Sequence, residues 1–246
     1  MRRTARVRRT LARGLRFAAD HGADVANLSI AGPAPSKVLQ EAVEYASAKG
    51  VTIVAAAGND GRASVSWPAA YPAVIAVGAV DRGRRLAYYS NHGRALDLVA
   101  PGGAGLNTDT GFGPSDGVQS QTLKGSRAEF CFCFMASTSA AAAVVSGVAA
   151  LLVGSGRATR PGEVTAALRD GARDLGPRGW DRRFGAGLVQ AASALAVGQP
   201  PAAAGSQPAE PGSDLPLPVI AFGAALAAAA ALVALGGRRR RRRASG

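Results

Sequence analysis

Residues that build metal sites, redox sites and imidazole chemistry are scarce in this sequence, with two cysteines and two histidines among 246 residues. The cysteines, Cys131 and Cys133, stand two apart. On a strand they share a face and a bridge that short would be strained, so they read as free thiols in a strand. No zinc-ligand spacing occurs, so no metal and no cofactor is expected, and a structural calcium site has no readable motif here. Aromatic residues are only 5% of the chain. The net charge of +13 sits at the two ends. Arg2, Arg3, Arg6, Arg8, Arg9, Arg13 and Arg16 crowd the start, Arg238 to Arg243 the finish, and the remaining 16 basic residues balance the 16 acidic ones. No basic face is left to track phosphates and few rings are available to stack on bases, so nucleic acid is not an expected partner. A signal peptide is not visible either: no apolar run follows the Arg-rich start before Leu15-Arg16-Phe17. The basic start reads as an upstream stretch of a larger gene, entered at an internal Met.

What remains is 48% apolar and long enough for one domain with a real core. Residues 1–10 are expected to be a disordered basic lead-in, and 11–196 an α/β domain. Residues 197–214 form a Pro/Ala/Gly/Ser linker with nothing to bury. Within the domain, helix and strand signals alternate. Leu11 to Ala19 is helical and stops at His21-Gly22. Asp24 to Ile30 is a strand. Ser36 can cap a helix ending at Lys49-Gly50. Val51 to Ala57 is an unbroken apolar strand, as expected when both sheet faces are covered. Val74 to Ala79 and Leu96 to Ala100 are two more. Ser137 opens an Ala/Val helix to Leu152, and Pro161 sits in the first turn of another through Leu168. This alternation implies a three-layer, doubly wound parallel sheet.

Two blocks carry chemistry. Val54-Ala55-Ala56-Ala57-Gly58-Asn59-Asp60-Gly61 is a buried strand ending in a Gly-Asn loop. It reads either as an ordinary turn or as an amide donor aimed from a strand's C-terminal end, where α/β sheets place their sites. Ser137-Thr138-Ser139 followed by Ala140 to Leu152 reads as an N-cap Ser before a buried helix. A Ser at a helix start is also well placed for nucleophilic work, because unpaired N–H groups there face a developing oxyanion.

Taken together and in order, these blocks resemble the subtilisin family of serine proteases over about residues 11–196. Gly22 to Ile30 resembles the strand that binds the substrate backbone. Ala56-Ala57-Gly58-Asn59 resembles the oxyanion segment, and Trp67 to Ala79 the segment beside the specificity pocket. Tyr89-Ser90-Asn91-His92-Gly93, Leu98 to Gly103, Asp174-Leu175-Gly176 and Phe184 to Val189 are also family-like. The resemblance implies a subtilisin-like fold, peptide-bond hydrolysis with Ser139 as nucleophile and Asn59 as oxyanion donor, and a peptide or protein substrate. It implies substrate contact at Ser29, Ile30, Ala31, Gly58 and Ser66, and a cis Trp67-Pro68 bond.

The departures from the family pattern set a second expectation. Where the nucleophile motif has Gly before Thr-Ser this chain has Ser137, and Ala143 and Val144 replace its Pro and His. Loss of that Gly is expected to crowd the approach to the nucleophile. The family's chain order is Asp, His, Ser, which puts the Asp and His before Asp24, and neither His21 nor His92 has the family's His context. As written, the chain is therefore expected to be inactive. The alternative is a non-catalytic pseudoprotease or gene fragment that at most binds extended peptide.

Leu217 to Leu235 is an uncharged run of 19 residues, long enough to cross a ~30 Å hydrocarbon core, and six Arg follow it. A transmembrane helix over 215–237 is expected, with 238–246 a cytoplasmic tail and the domain extracytoplasmic. An Ala-rich soluble helix is the other reading. The layout resembles membrane-anchored subtilases of actinobacteria, including the mycosins of type VII secretion.

Overall fold

A computed structural model describes residues 2–104, 116–124 and 129–198. Four strands, β1 (Val25–Leu28), β2 (Thr52–Ala56), β3 (Val74–Val80) and β4 (Leu98–Pro101), form one sheet in the order β1-β2-β3-β4. Every pairing is parallel, with Asn27 beside Val54, Val54 beside Ile75, and Val77 beside Leu98.

Parallel strands buried on both faces favour apolar side chains, and β2 and β3 are apolar throughout except for the buried Thr52 at the start of β2. Successive side chains point to opposite faces. Ile53, Ala55, Val74 and Ala76 therefore pack one way, against α1 (Arg2–Asp20) and α2 (Lys37–Ala48), through Leu15, Leu39, Val43 and Ala46. Val54, Ala56, Ile75, Val77 and Ala79 pack the other way, against α3 (Thr138–Gly154) and α4 (Pro161–Asp170), through Ala141, Val145, Leu152 and Leu168. The expected three layers follow from this period-two division.

Within the expected lead-in, residues 2–10 are instead the first half of α1. Arg and Ala are strong helix formers, and Ala12, Leu15 and Ala19 supply one buried stripe. Two of its arginines turn inward. Arg8 donates to Ala34 O at 3.0 Å and Pro35 O at 3.2 Å, and the Arg16 guanidinium lies 4.6 Å from the centre of the Tyr45 ring. A second correction concerns Ser36. It stands at the N-cap of α2, but its hydroxyl caps nothing. The Tyr71 hydroxyl donates to Ser36 O and accepts from Ser36 N, both at 2.9 Å, and takes over that end of the helix.

An antiparallel hairpin, β5 (Val118–Lys124) and β6 (Glu129–Met135), precedes α3, with the Cys131–Cys133 segment in β6 as expected. The polar stretch of β5 gave no strand signal. Nor was α5 (Ala191–Ala196) expected, being too short for a readable period. The Trp67-Pro68 bond is cis. No helix among the described residues is long and apolar enough to cross a membrane. The run from Leu217 to Leu235 and the Arg cluster lie outside the described residues.

Adjacent leucines of α3 test the layering. Leu152 is fully buried against the sheet, whereas Leu151 is 55% exposed. Leu152→Ala is expected to lower unfolding stability by about 2–5 kcal/mol in denaturant titration. Leu151→Ala should change it by no more than about 0.5 kcal/mol.

Candidate active site

The site forms where β2 ends and α3 begins. After β2 the chain passes through Ala57 to Gly58, whose φ of +110° suits glycine alone. A Cβ there would also stand 2.7 Å from Ser66 Oγ and collide with the Asn91 amide. This close backbone approach delivers Asn59 to the surface at the C-terminal end of the sheet.

Asn59 is held by its oxygen. Thr138 N donates to Asn59 Oδ1 at 2.9 Å, and Thr138 Oγ1 donates to the same atom at 2.8 Å. A backbone N–H can only donate, so the atom facing it must be the amide oxygen. The Nδ2 group is left as the free end, with two protons to give. Thr138 is itself fully buried, and its hydroxyl also accepts from Gly58 N at 3.3 Å. One threonine thus joins the oxyanion-type loop to the helix that carries Ser139. The sequence reading gave Thr138 no role of its own; its only signal was its position before Ser139.

The start of α3 is built as an N-terminus open to a ligand. Ser137 is the N-cap, with extended backbone at φ −171°, and its hydroxyl accepts from Ala140 N. The extended backbone here suits any residue, and the hydroxyl satisfies a helix N–H. Ser137 N donates to Gly102 O at 2.9 Å, and the buried Tyr89 hydroxyl donates to Gly102 O and Gly103 O, both at 2.8 Å. Burial pushes the Tyr89 hydroxyl's pKa well above its usual value, so it stays protonated as a donor. Asp97, at the foot of β4 and away from this cleft, is also raised by burial, against the lowering pull of Arg169 and Ala76 N.

Ser139 follows in the first turn of α3 and is half-buried. Its hydroxyl lies 3.4 Å from Ser29 O, and the Ser29 hydroxyl donates back to Ser139 O at 3.1 Å. Ser29 is in turn oriented by Asn27, whose Nδ2 donates to Ser29 Oγ at 2.9 Å. Neither histidine hydrogen-bonds Ser139. His21 stacks on Phe17 with its Nδ1 2.8 Å from Phe17 O, and His92 donates through its backbone to Arg62 O.

Ser139, Asn59, Ser29, Ile30, Ala31 and Ser66 line one open cavity of about 410 Å³, together with Gly32, Pro33, Asp60 and Arg62. Of the residues the sequence singled out, only Gly58 stands behind the cavity instead of lining it. The segment 29–31 that follows β1, a serine hydroxyl at a helix start and a free amide on the facing loop share this space. The Subtilase family model matches residues 8–187.

The chain belongs to the subtilase family.

It is 38% identical over 185 residues to the M-protease of Shouchella clausii (strain KSM-K16), covering 75% of this chain and 43% of that one. To subtilisin BL of Lederbergia lenta it is 37% identical over 185 residues, covering 75% of this chain and 61% of that one. Among solved structures it is similar to a protease from Pseudoalteromonas arctica, with a TM-score of 0.67 at 33% identity, covering 75% of this chain and 57% of that one. It is also similar to a lanthipeptide protease, with a TM-score of 0.66 at 27% identity, covering 76% and 65%. This subtilase thus spans about half the length of the curated relatives it matches.

Proposed function

We propose that this subtilase is a serine endopeptidase in which Ser139 attacks the scissile carbonyl and Asn59 Nδ2 donates to the oxyanion. The observation that carries this reading is the Thr138 latch. It fixes the Asn59 amide with its donor end free, on the cavity that Ser139 also lines. An extended peptide would lie against Ser29, Ile30 and Ala31. In the first step a bond forms between Ser139 Oγ and the carbonyl carbon, the carbonyl π pair moves onto oxygen, and the hydroxyl proton passes to a base. Collapse of the adduct expels the amine, which takes a proton from that base, and water later releases the acid.

The base is the open element. The Ser139 hydroxyl is engaged with Ser29 O, and neither His21 nor His92 is among the residues lining the cavity. A serine of ordinary pKa with no base is a poor nucleophile, and loss of triad members costs roughly 10⁶ in turnover. The same observation favours a second reading for the chain as written, in which it binds extended peptide without cutting it. Hydroxyl-directed phosphonate probes separate the two, since they react only with an activated serine. The present chain should show no labelling of Ser139, and a chain extended upstream with subtilase Asp and His segments should label. Stoichiometric labelling of the present chain, lost in Ser139→Ala, would contradict the assignment of the base. An unlabelled extended chain would favour the pseudoprotease.

The same proposal places the protein on a membrane, as a single-pass protein with the domain outside. The run from Leu217 to Leu235 and the six following arginines support it, because positive residues stay cytoplasmic. This architecture is mycosin-like and would suit a role beside type VII secretion. Membrane-impermeant thiol labelling should modify a cysteine placed in the linker and spare Ser245→Cys. The reverse pattern would refute the orientation.

A further inference from the structure

Residues 58–66 carry Asn59 along one wall of the cleft and return to it at Ser66. They contain no helix and no strand, and residues 59–64 are all exposed. Val65 packs against the core at its end, but residues 59–64 have no ladder and no buried side chain of their own, so their path is set by groups outside them. One such group is a buried side-chain amide.

Asn91 is 0% exposed. Its Oδ1 accepts from Asp60 N at 3.0 Å and from Arg62 N at 2.9 Å. Its Nδ2 donates to Ser66 Oγ at 3.0 Å, and its backbone N donates to Gly58 O at 2.9 Å. Two backbone donors on one side fix which atom is oxygen, so the amide cannot flip without losing both of those bonds. Every one of these bonds goes to residues 58–66. The residue next to Asn59 and the residue across the cleft are therefore spaced by a single rigid group. Other bonds also hold the loop: Gly61 N to Tyr89 O, His92 N to Arg62 O and Ser66 N to Ala57 O along its backbone, and those of Thr138 with Gly58 and Asn59 at its start.

We propose that Asn91 is the positioning residue of this cleft. It sets where the Asn59 amide stands against Ser139, and it sets the Ser66 wall at the same time. The proposal rests on reading the cleft as a peptide-binding site with Asn59 as donor. Preorganised donors act because they need no reorganisation when charge develops, and displacement by about 1 Å can cost 10²-fold. Asn91 touches no reacting atom, and its effect passes through the loop.

The test uses the full chain and amide hydrogen exchange read residue by residue. Asn91→Ala removes the acceptor of Asp60 N and Arg62 N. Exchange at those two amides should rise at least about 10-fold, with β2 and α3 unchanged, because the opening is local. Asn91→Asp keeps two acceptor oxygens in the same place, and the Ser66 hydroxyl can turn to donate to it, so protection at Asp60 and Arg62 should return. A uniform rise across the sheet, or no change at either amide, would overturn the proposal by reducing Asn91 to a general stabiliser or a bystander. If Asn91→Ala does not fold, Asn91→Asp decides alone, and loss of protection at Asp60 and Arg62 in that variant overturns the idea. In the chain extended upstream with subtilase Asp and His segments, a peptide aldehyde serves as the ligand probe, its carbonyl oxygen reporting on the Asn59 position once Ser139 adds to the carbonyl. Binding should weaken about 10-fold in Asn91→Ala and in Asn59→Ala, and the two losses should not add in the double variant, as for residues acting through one group. Additive losses would overturn the proposal. Local loosening in an extended chain whose unaltered form fails to bind the aldehyde would uphold Asn91 as the positioning residue of the loop and overturn the peptidase reading.

Discussion

One oxygen atom ties the two halves of this site together. Asn59 Oδ1 takes hydrogen bonds from both the backbone and the hydroxyl of Thr138, the first residue of α3. Each bond is worth only about 0.5–1.5 kcal/mol net. Their value lies in direction. They turn the Asn59 amide so that its nitrogen is free, and they fix it relative to Ser139 one residue along the same helix. The rest of the domain makes that junction possible. Burial of β2 and β3 on both faces places the end of β2 beside the start of α3, and the left-handed backbone at Gly58 lets the loop pass under Asn91.

Support for the junction comes from two further sides. Tyr89 and Gly102 hold the chain entering α3 through hydrogen bonds that end on Ser137 N. Asn27, Ser29 and Ser146 form a polar line along β1, where Ser146 Oγ donates to Asn27 Oδ1 and Asn27 Nδ2 to Ser29 Oγ. That line ends at the Ser139 carbonyl. The Ser139 segment is thus fixed by its own N-cap, by Ser29 after β1 and by the Asn59 loop. What the geometry supplies is preorganisation; activation of the Ser139 hydroxyl is a separate requirement.

Much of this was legible in the sequence because it rests on patterns that local residues dictate. Unbroken apolar runs at Val51 to Ala57 and Val74 to Ala79 gave the buried parallel strands, and Ser137 before an Ala/Val run gave the helix start. The motifs of the family gave Asn59 and Ser139. The elements that were missed depend on contacts distant in sequence. Residues 1–10 looked like a charged tail, and their helix is held by Arg8 reaching carbonyls at Ala34 and Pro35. Ser36 looked like a cap, and Tyr71 displaced it. The anchoring roles of Thr138 and Asn91 are set by partners 79 and about 30 residues away, which no local pattern records.

The central claim is that the Asn59 amide and the Ser139 hydroxyl act on one carbonyl. Steady-state kinetics of the chain extended with Asp and His segments, compared with its Asn59→Ala variant, test it most directly. A donor that engages only the oxyanion should cost about 10²–10³ in kcat when removed, with KM held. A change confined to KM, or an unchanged kcat, would contradict the account.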